Sequence, residues 1–151
     1  MRKRAFTLIE IVITISVLSA LTAFIVPTYQ LILSQFQLTS AASQVAEFIR
    51  LTEQKTVTEQ VIYGVTLTDN ATTIRQFLYT EEETVPQTTF ALPSNIIISE
   101  VNFSGHSDIR FAPSGAPNVS GSVVIEDVVR NRSRRIEIRP SGAILTNTGE
   151  F

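Results

Sequence analysis

The chain has no cysteine and no tryptophan, and only one methionine and one histidine, among 151 residues. Without cysteine there is no disulfide framework, no thiolate metal site and no thiol nucleophile. The single histidine, His106, lies in a Ser-Gly-His-Ser turn with no identifiable partner, which removes a Ser-His-Asp arrangement. No P-loop occurs, so mechanical work driven by a nucleotide would have to come from elsewhere. Glu81, Glu82 and Glu83 adjoin one another. No D-x-[DN]-x-[DN]-G loop surrounds them, so they read as a solvated loop rather than a calcium site. An enzymatic reading has no residues to stand on, and no cofactor or metal is expected.

Charge is the next absence. No charged residue stands between Ile11 and Ala46. The first thirty residues organise the rest: a basic tip of Arg2, Lys3 and Arg4, then an apolar run from Phe6 to Val26 broken only by Glu10 among the charged types. A hydrocarbon core of about 30 Å takes roughly 20 apolar residues as helix, and this run is long enough. A carboxylate inside such a run is a functional hypothesis by default. With the positive-inside rule, Glu10 lies near the cytoplasmic end. It still needs a partner. Were the chain cut between Ala5 and Phe6, the new amine would lie about one helical turn from Glu10. The helix dipole disfavours a cation there, and a carboxylate of the same or a neighbouring subunit would neutralise it. An ordinary secretory signal has a shorter apolar core followed by a small-x-small site, and a plain single-span anchor has no use for Glu10.

These residues, Arg2-Lys3-Arg4-Ala5-Phe6-Thr7-Leu8-Ile9-Glu10, resemble the class III signal of type IV prepilins and type II secretion pseudopilins. The resemblance implies a leader of residues 1–5, cleavage between Ala5 and Phe6 by a prepilin peptidase, N-methylation of Phe6, and an assembly role for Glu10, fifth in the mature chain. It also implies a cytoplasmic-membrane protein with its C-terminal domain outside, which later joins an extracytoplasmic filament. The implied partners are other pilins or pseudopilins, the peptidase and an inner-membrane assembly platform. Ala5 departs from the Gly usual before the cut. A prokaryotic envelope makes the N-x-[ST] triplets at Asn70, Asn102, Asn118 and Asn131 chance occurrences. Loss of Arg2, Lys3 and Arg4 leaves nine basic against 14 acidic residues, a net charge of −5, which does not suit a bulk nucleic-acid binder.

Along the chain, residues 6–28 read as a transmembrane and filament-core helix, and 29–57 as its amphipathic second half. Leu38, Ala41, Ala42, Val45, Phe48, Ile49 and Thr52 recur at steps of three and four and make one apolar stripe. Pro27 removes a backbone hydrogen bond and is a candidate kink; the Ser19–Pro27 stretch is expected to bend, or to unwind in part when subunits pack. Residues 58–151 read as a β-rich head of about seven strands. These are Val61–Leu67, Thr73–Tyr79, Asn95–Phe103, Asp108–Phe111, Val123–Ile125, Arg135–Ile138 and Ala143–Leu145. Glu81–Pro86 reads as a charged loop, and a turn is expected near Asn131–Ser133. The expected fold is α+β and pilin-like: a long N-terminal transmembrane helix packed on a small antiparallel β-sandwich.

The segments Phe111-Ala112-Pro113-Ser114-Gly115, Gly121-Ser122-Val123-Val124-Ile125, Arg135-Ile136-Glu137-Ile138 and Gly142 look like the C-terminal half of GspH/FimT-type minor pseudopilins. One polar cluster stands out. Arg130, Arg132, Arg134, Arg135 and Arg139 hold five of the nine basic residues of the mature chain and form a candidate anion or partner patch. Facing acidic neighbours such as Glu126, Asp127 and Glu137, or an adjacent subunit, is the simpler reading. A DNA-uptake role is the alternative, although Gly142 is followed by Ala143 and Leu145 rather than by arginines. A membrane-anchored binding domain that never polymerises is a further alternative.

Overall fold

The computed structural model describes residues 7–80 and 82–147, with the side chains of residues 24, 26–28, 30 and 31 set aside. The helical periodicity materialises as one helix, α1, from Leu8 to Glu59, 52 residues long. It starts at a cap. The Thr7 carbonyl accepts the Glu10 and Ile11 amides, and the Thr7 hydroxyl also accepts from Glu10 N–H at 3.3 Å. Thr7-Leu8-Ile9-Glu10 thus has the spacing of a capping box. The helix stops where Gln60 turns left-handed, at φ 58°, with its amide on the Thr56 carbonyl.

The chain forms two units, Met1–Gln37 and Leu38–Phe151. In the first, α1 is apolar all round: Leu8, Ile9, Val12, Ile13, Ile15, Val17, Leu18 and Leu21 are all exposed. Such a helix is built for burial in something other than water. Three of its hydroxyls are satisfied within the helix. Ser16 and Thr22 donate to the Val12 and Leu18 carbonyls at 2.8 Å, and Thr14 donates to Glu10. Among the described residues no helix is long and apolar enough to cross a membrane.

The second unit is the head. Among the described residues it contains eight strands: β1 Ile62–Thr66, β2 Thr73–Tyr79, β3 Thr84–Ala91, β4 Ile96–Asn102, β5 Asp108–Phe111, β6 Gly121–Asp127, β7 Arg132–Ile138 and β8 Ile144–Asn147. They form two four-stranded sheets, ordered β3-β2-β1-β5 and β4-β6-β7-β8, with every pairing antiparallel. The helical stripe and both inner faces share one core. Leu38, Ala41, Ala42, Val45, Ala46 and Ile49 pack with Val65, Ile74, Ile109 and Phe111 of the first sheet. Ile96, Ile98, Val123, Ile125, Ile136 and Ile138 come from the second. The sheets are joined where the β1–β2 turn meets β4: Asn70 N–H donates to Ile98 O, and Ile98 N–H to Ala71 O.

The eighth strand corrects the expected count. β3 covers part of the stretch read as a charged loop, and Pro86 hid it. Proline lacks the ladder donor and is tolerated only on edge strands or at bulges. β3 is both an edge strand and bulged, with Pro86 opposite Phe77 beside the register shift.

A polar seam fixes the end of α1 to the head. Buried Thr52 donates to Phe48 O and accepts from Gln76 Nε2 at 2.9 Å. Buried Thr56 donates to Thr52 O and accepts from Tyr63 N–H at 3.3 Å. Each buried hydroxyl therefore has partners, as burial requires. Lys55 Nζ lies 4.4 Å from the Tyr63 ring centroid, and the Tyr63 hydroxyl donates to Glu59. That hydrogen bond, aided by burial and by the charge of Glu59, pushes the Tyr63 phenol up to about 12.

Candidate assembly helix and arginine hairpin

Glu10 occupies the first turn of α1, where a carboxylate suits the helix dipole. Its backbone is tied to Thr7 by two of the hydrogen bonds that start the helix. The processing residues Ala5 and Phe6 lie outside the described residues, as do Arg2, Lys3, Arg4 and Glu81. At Pro27 the backbone is helical without a break. The unwinding expected there concerns packed subunits and stays a proposal.

The head brings together residues that the sequence kept far apart. Gly115 and Gly142 both adopt positive φ, 84° and 82°. A side chain on either would meet Glu53 Oε1, at 3.4 Å and 3.0 Å respectively, and one on Gly142 would also meet the Gly115 carbonyl at 3.0 Å. Both glycine turns therefore close over one helical carboxylate. Burial pushes the Glu53 carboxyl up, against the opposing pull of Arg50. Arg50 in turn donates to the Ile144 carbonyl at 2.7 Å. A shallow groove lined by Arg50, Glu53, Val57, Gly142 and Ile144 runs along this junction. Both glycines belong to the segments whose resemblance the sequence shows; Glu53 carries no sequence signal, because nothing local ties it to them.

The arginine cluster does not form one patch. β6 and β7 are joined by a tight turn at Val128–Asn131, earlier than the expected 131–133. Asp127, buried, closes it: its Oδ1 accepts Val129 N–H at 3.1 Å, and its carbonyl accepts the Arg130 and Asn131 amides. Asn131 completes the turn at φ 51°. Strand alternation then divides the arginines. Arg132 and Arg134 share the parity of core-facing Ile136 and Ile138 and stand opposite buried Asp127 and Ile125 of β6, while Arg135 and Arg139 share the other face with Glu137. Arg139 pairs with Glu137 at 3.3 Å. Arg130 stays in the turn with its Nη1 buried and without an acceptor. Val128 and Val129 stand exposed beside it.

His106 is exposed in its turn, with Nδ1 3.3 Å from the Phe103 carbonyl. Glu82 and Glu83 are exposed at the β2–β3 turn, which the Thr80 hydroxyl closes against Glu83. Among the described residues no group of three or more His, Asp or Glu could hold a metal ion. A second stacked pair, Arg110 over Tyr79 at 4.3 Å, is held by Asp108 at 2.6 Å from Arg110 Nε.

The fold and its leading segment define a class: a pilin-like fold headed by the prokaryotic N-terminal methylation motif, which residues 1–26 match. Among solved structures, the chain is similar to the type IV minor pilin FimU of Pseudomonas aeruginosa. The TM-score is 0.61 at 12% identity, over 76% of this chain and 90% of that one. It is also similar to the minor pseudopilin EpsH from the type 2 secretion system of Vibrio cholerae. There the TM-score is 0.61 at 10% identity, over 74% of this chain and 97% of that one. No curated protein matches the chain.

Proposed function

We propose that this chain is a structural subunit of a type IV pilus or a type II secretion pseudopilus, of the minor pilin or minor pseudopilin kind. The observation that carries the reading is a conjunction: the methylation motif over residues 1–26 leads into a single helix whose far half belongs to a head of the FimU and EpsH fold. In this reading a prepilin peptidase cuts between Ala5 and Phe6 and methylates Phe6. The apolar half of α1 holds the chain in the cytoplasmic membrane, with the head outside. Transfer into a filament core then packs the Ile, Leu and Val side chains that α1 leaves exposed. Glu10 meets the Phe6 amine of its own or a neighbouring chain, so that neither charge stays unpaired in an apolar surround. The head supplies partner specificity, and the chain itself carries no catalysis.

Intact mass and terminal peptide sequencing of membrane-extracted protein, with the peptidase present and absent, test this. A mature chain beginning at N-methylated Phe6 only when the peptidase is present is the expected result. A chain still beginning at Met1, or cut beyond Val26, would return it to the anchored or secreted class and remove the role given to Glu10.

A further inference from the structure

Two sheets have four edges, and three of these are covered or short. Along β5 the chain returns on itself. Asn118 N–H donates to the Arg110 carbonyl and Asn118 Oδ1 accepts the Arg110 amide, both at 2.8 Å, and Phe111 bridges to Pro117. Along β4 the β1–β2 turn supplies the partners: Asn70 and Ala71 at Ile98, and Asp69 Oδ1 for Val101 N–H at 2.8 Å. β8 is four residues long, and Arg50 holds its Ile144 carbonyl. The edge of β3 differs. Its first half is blunted by Pro86 and the bulge, two devices that keep an edge from pairing. Residues 88–91 have neither. Leu92 N–H donates to Thr72 O, so strand alternation turns the amide and carbonyl of Phe90 toward β2 and those of Thr89 and Ala91 away from it. Thr89 and Ala91 are exposed, and their outward backbone groups have no partner among the described residues. No charge guards them: residues 84–99 carry none, where natural edges ordinarily place one.

We propose that residues 88–91 of β3 dock an extended segment of a different subunit, which pairs antiparallel with them as a fifth strand of the first sheet. The backbone fixes the form of the occupant, since an extended chain is what meets the alternate groups at Thr89 and Ala91. The side chains around the edge fix its character. Phe90 faces α1, its ring centroid 5.8 Å from that of Phe48. Leu51, one turn further along α1 on the same side, is 51% exposed. The residue of the added strand opposite Phe90 faces this flank and is apolar, while its neighbours stand on the outer face beside Thr89 and Ala91 and are uncharged. A second copy is the wrong donor. Pairing β3 with β3 antiparallel, as in every ladder of this head, sets a two-fold axis normal to the sheet and turns α1 end for end, so the two copies could not share one membrane. The other edges of a copy are covered or short. A contact with a different chain does not propagate, which suits a subunit of the minor kind. That the donor belongs to the same filament rests on the reading above; the open edge does not.

The edge is tested with a capped, fluorescein-labelled heptapeptide of alternating threonine and valine, titrated into the detergent-solubilised full chain and followed by anisotropy. Saturable binding is expected. Thr89→Pro removes an outward amide and keeps the inward ladder, and should weaken binding about tenfold. Thr89→Ala keeps the amide and should bind as the parent does. Leu51→Asp, at an exposed helix position apart from the ladder, should weaken binding about fivefold. No saturable binding, or equal binding by the parent, Thr89→Pro and Leu51→Asp, would overturn the edge. The donor is read in cells making the whole filament machinery, with benzoylphenylalanine in place of Thr89 and photo-adducts identified by peptide mass. An adduct with a different chain that has its own N-terminal methylation motif is expected. No adduct, an adduct with a second copy, or adducts only with chains lacking that motif would overturn the donor. N-terminal mass is read on the same cells: an uncut Met1 terminus with peptide binding retained sinks the processing reading and leaves the edge standing, and a methylated Phe6 without peptide binding does the reverse.

Discussion

Replacing Gly121 by alanine tests whether space, rather than backbone freedom, is what the Gly-x-Val-x-Ile segment needs. Gly121 has no positive φ. It opens β6 against the end of β4, and a Cβ there would lie 1.9 Å from the Asn102 carbonyl oxygen and 2.7 Å from Phe103 Cδ1. Contacts under 3.0 Å essentially never occur at real Cβ atoms, so the end of β4 must retreat by roughly 1 Å, an overpacking strain. Phe103 cannot absorb the shift freely, since it is fully buried in the common core. Overpacking of this kind costs about 1–3 kcal/mol, and disruption of the terminal Asn102–Ser122 pairing adds about 1 kcal/mol for a lost backbone hydrogen bond.

A total of about 3 kcal/mol is a large share of the 5–15 kcal/mol that typically separates folded from unfolded domains. At about 4–8 °C per kcal/mol for a domain of this size, the melting temperature of the head should fall by roughly 12–24 °C. Scanning calorimetry of the detergent-solubilised chain measures it. Gly105→Ala is the control. Gly105 has φ 89° but nothing within 4 Å of its would-be side chain, so only the left-handed backbone term applies, about 1–2 kcal/mol. Should Gly105→Ala melt below Gly121→Ala, or Gly121→Ala melt within about 3 °C of the parent, the steric reasoning fails.

Three further outcomes are expected. The Tyr63 phenol is pushed up to about 12 in the folded head, mainly by its hydrogen bond to Glu59. Its stabilising share is therefore complete below the ordinary tyrosine pKa of about 10 and is lost as pH rises through about 12. Burial and Asp108 raise the Tyr79 phenol too, so phenolate absorbance should show late-titrating tyrosines of which Glu59→Gln moves one to lower pH; an unmoved titration would remove Glu59 as the cause. Burial raises the Glu53 carboxyl, so the folded head favours its protonated form and gains stability from this group as pH falls from neutral toward the ordinary carboxylate range. Glu53→Gln should stabilise the head at neutral pH and flatten that dependence, as denaturant midpoints at several pH values will report. Glu10→Val should leave membrane insertion intact and block recovery of the chain in sheared filaments; recovery equal to the parent would end the register role of Glu10.

The parts of the fold legible in sequence are those with a strong local period. The stripe from Leu38 to Thr52 was visible because its apolar side chains recur at helical steps, and Leu38, Ala41, Ala42, Val45, Ile49 and Thr52 are all buried. The strand Thr73–Tyr79 has the bounds its β-branched and aromatic residues suggested. Thr84–Ala91 was hidden, because an edge strand with a bulge can hold Pro86 and expose most of its side chains. The β6–β7 turn comes earlier than the sequence suggests, because Val128 and Val129 look like strand residues; Asp127 ends the strand before them through hydrogen bonds that a period does not encode. At the candidate sites the N-terminal motif lies in consecutive residues and reads directly. The meeting of Glu53 with Gly115 and Gly142 depends on three distant segments and becomes visible only in three dimensions.

One helix serves two surroundings, and its hydroxyls record the change. In the first unit Ser16 and Thr22 bond to carbonyls of their own turn, as the proposed membrane surround would require of a hydroxyl. In the head Thr52 and Thr56 make the same backward bonds but also accept from Gln76 and Tyr63, so each becomes a tie between helix and sheet. The charge pattern changes with them. A single carboxylate stands at the first turn, no charge follows until Glu47, and then Glu47, Arg50, Glu53, Lys55 and Glu59 come within thirteen residues. Changing the hydroxyl partners of Thr52 should therefore loosen the head without altering membrane insertion. Thr52→Val, close in shape, removes the acceptor for Gln76 and leaves a buried amide donor unpaired, at a cost of about 1–3 kcal/mol. Pairing it with Gln76→Leu should recover much of that loss, because two apolar groups replace two matched polar ones. A double variant no more stable than Thr52→Val alone would show that the seam does not act as a hydrogen-bonded unit.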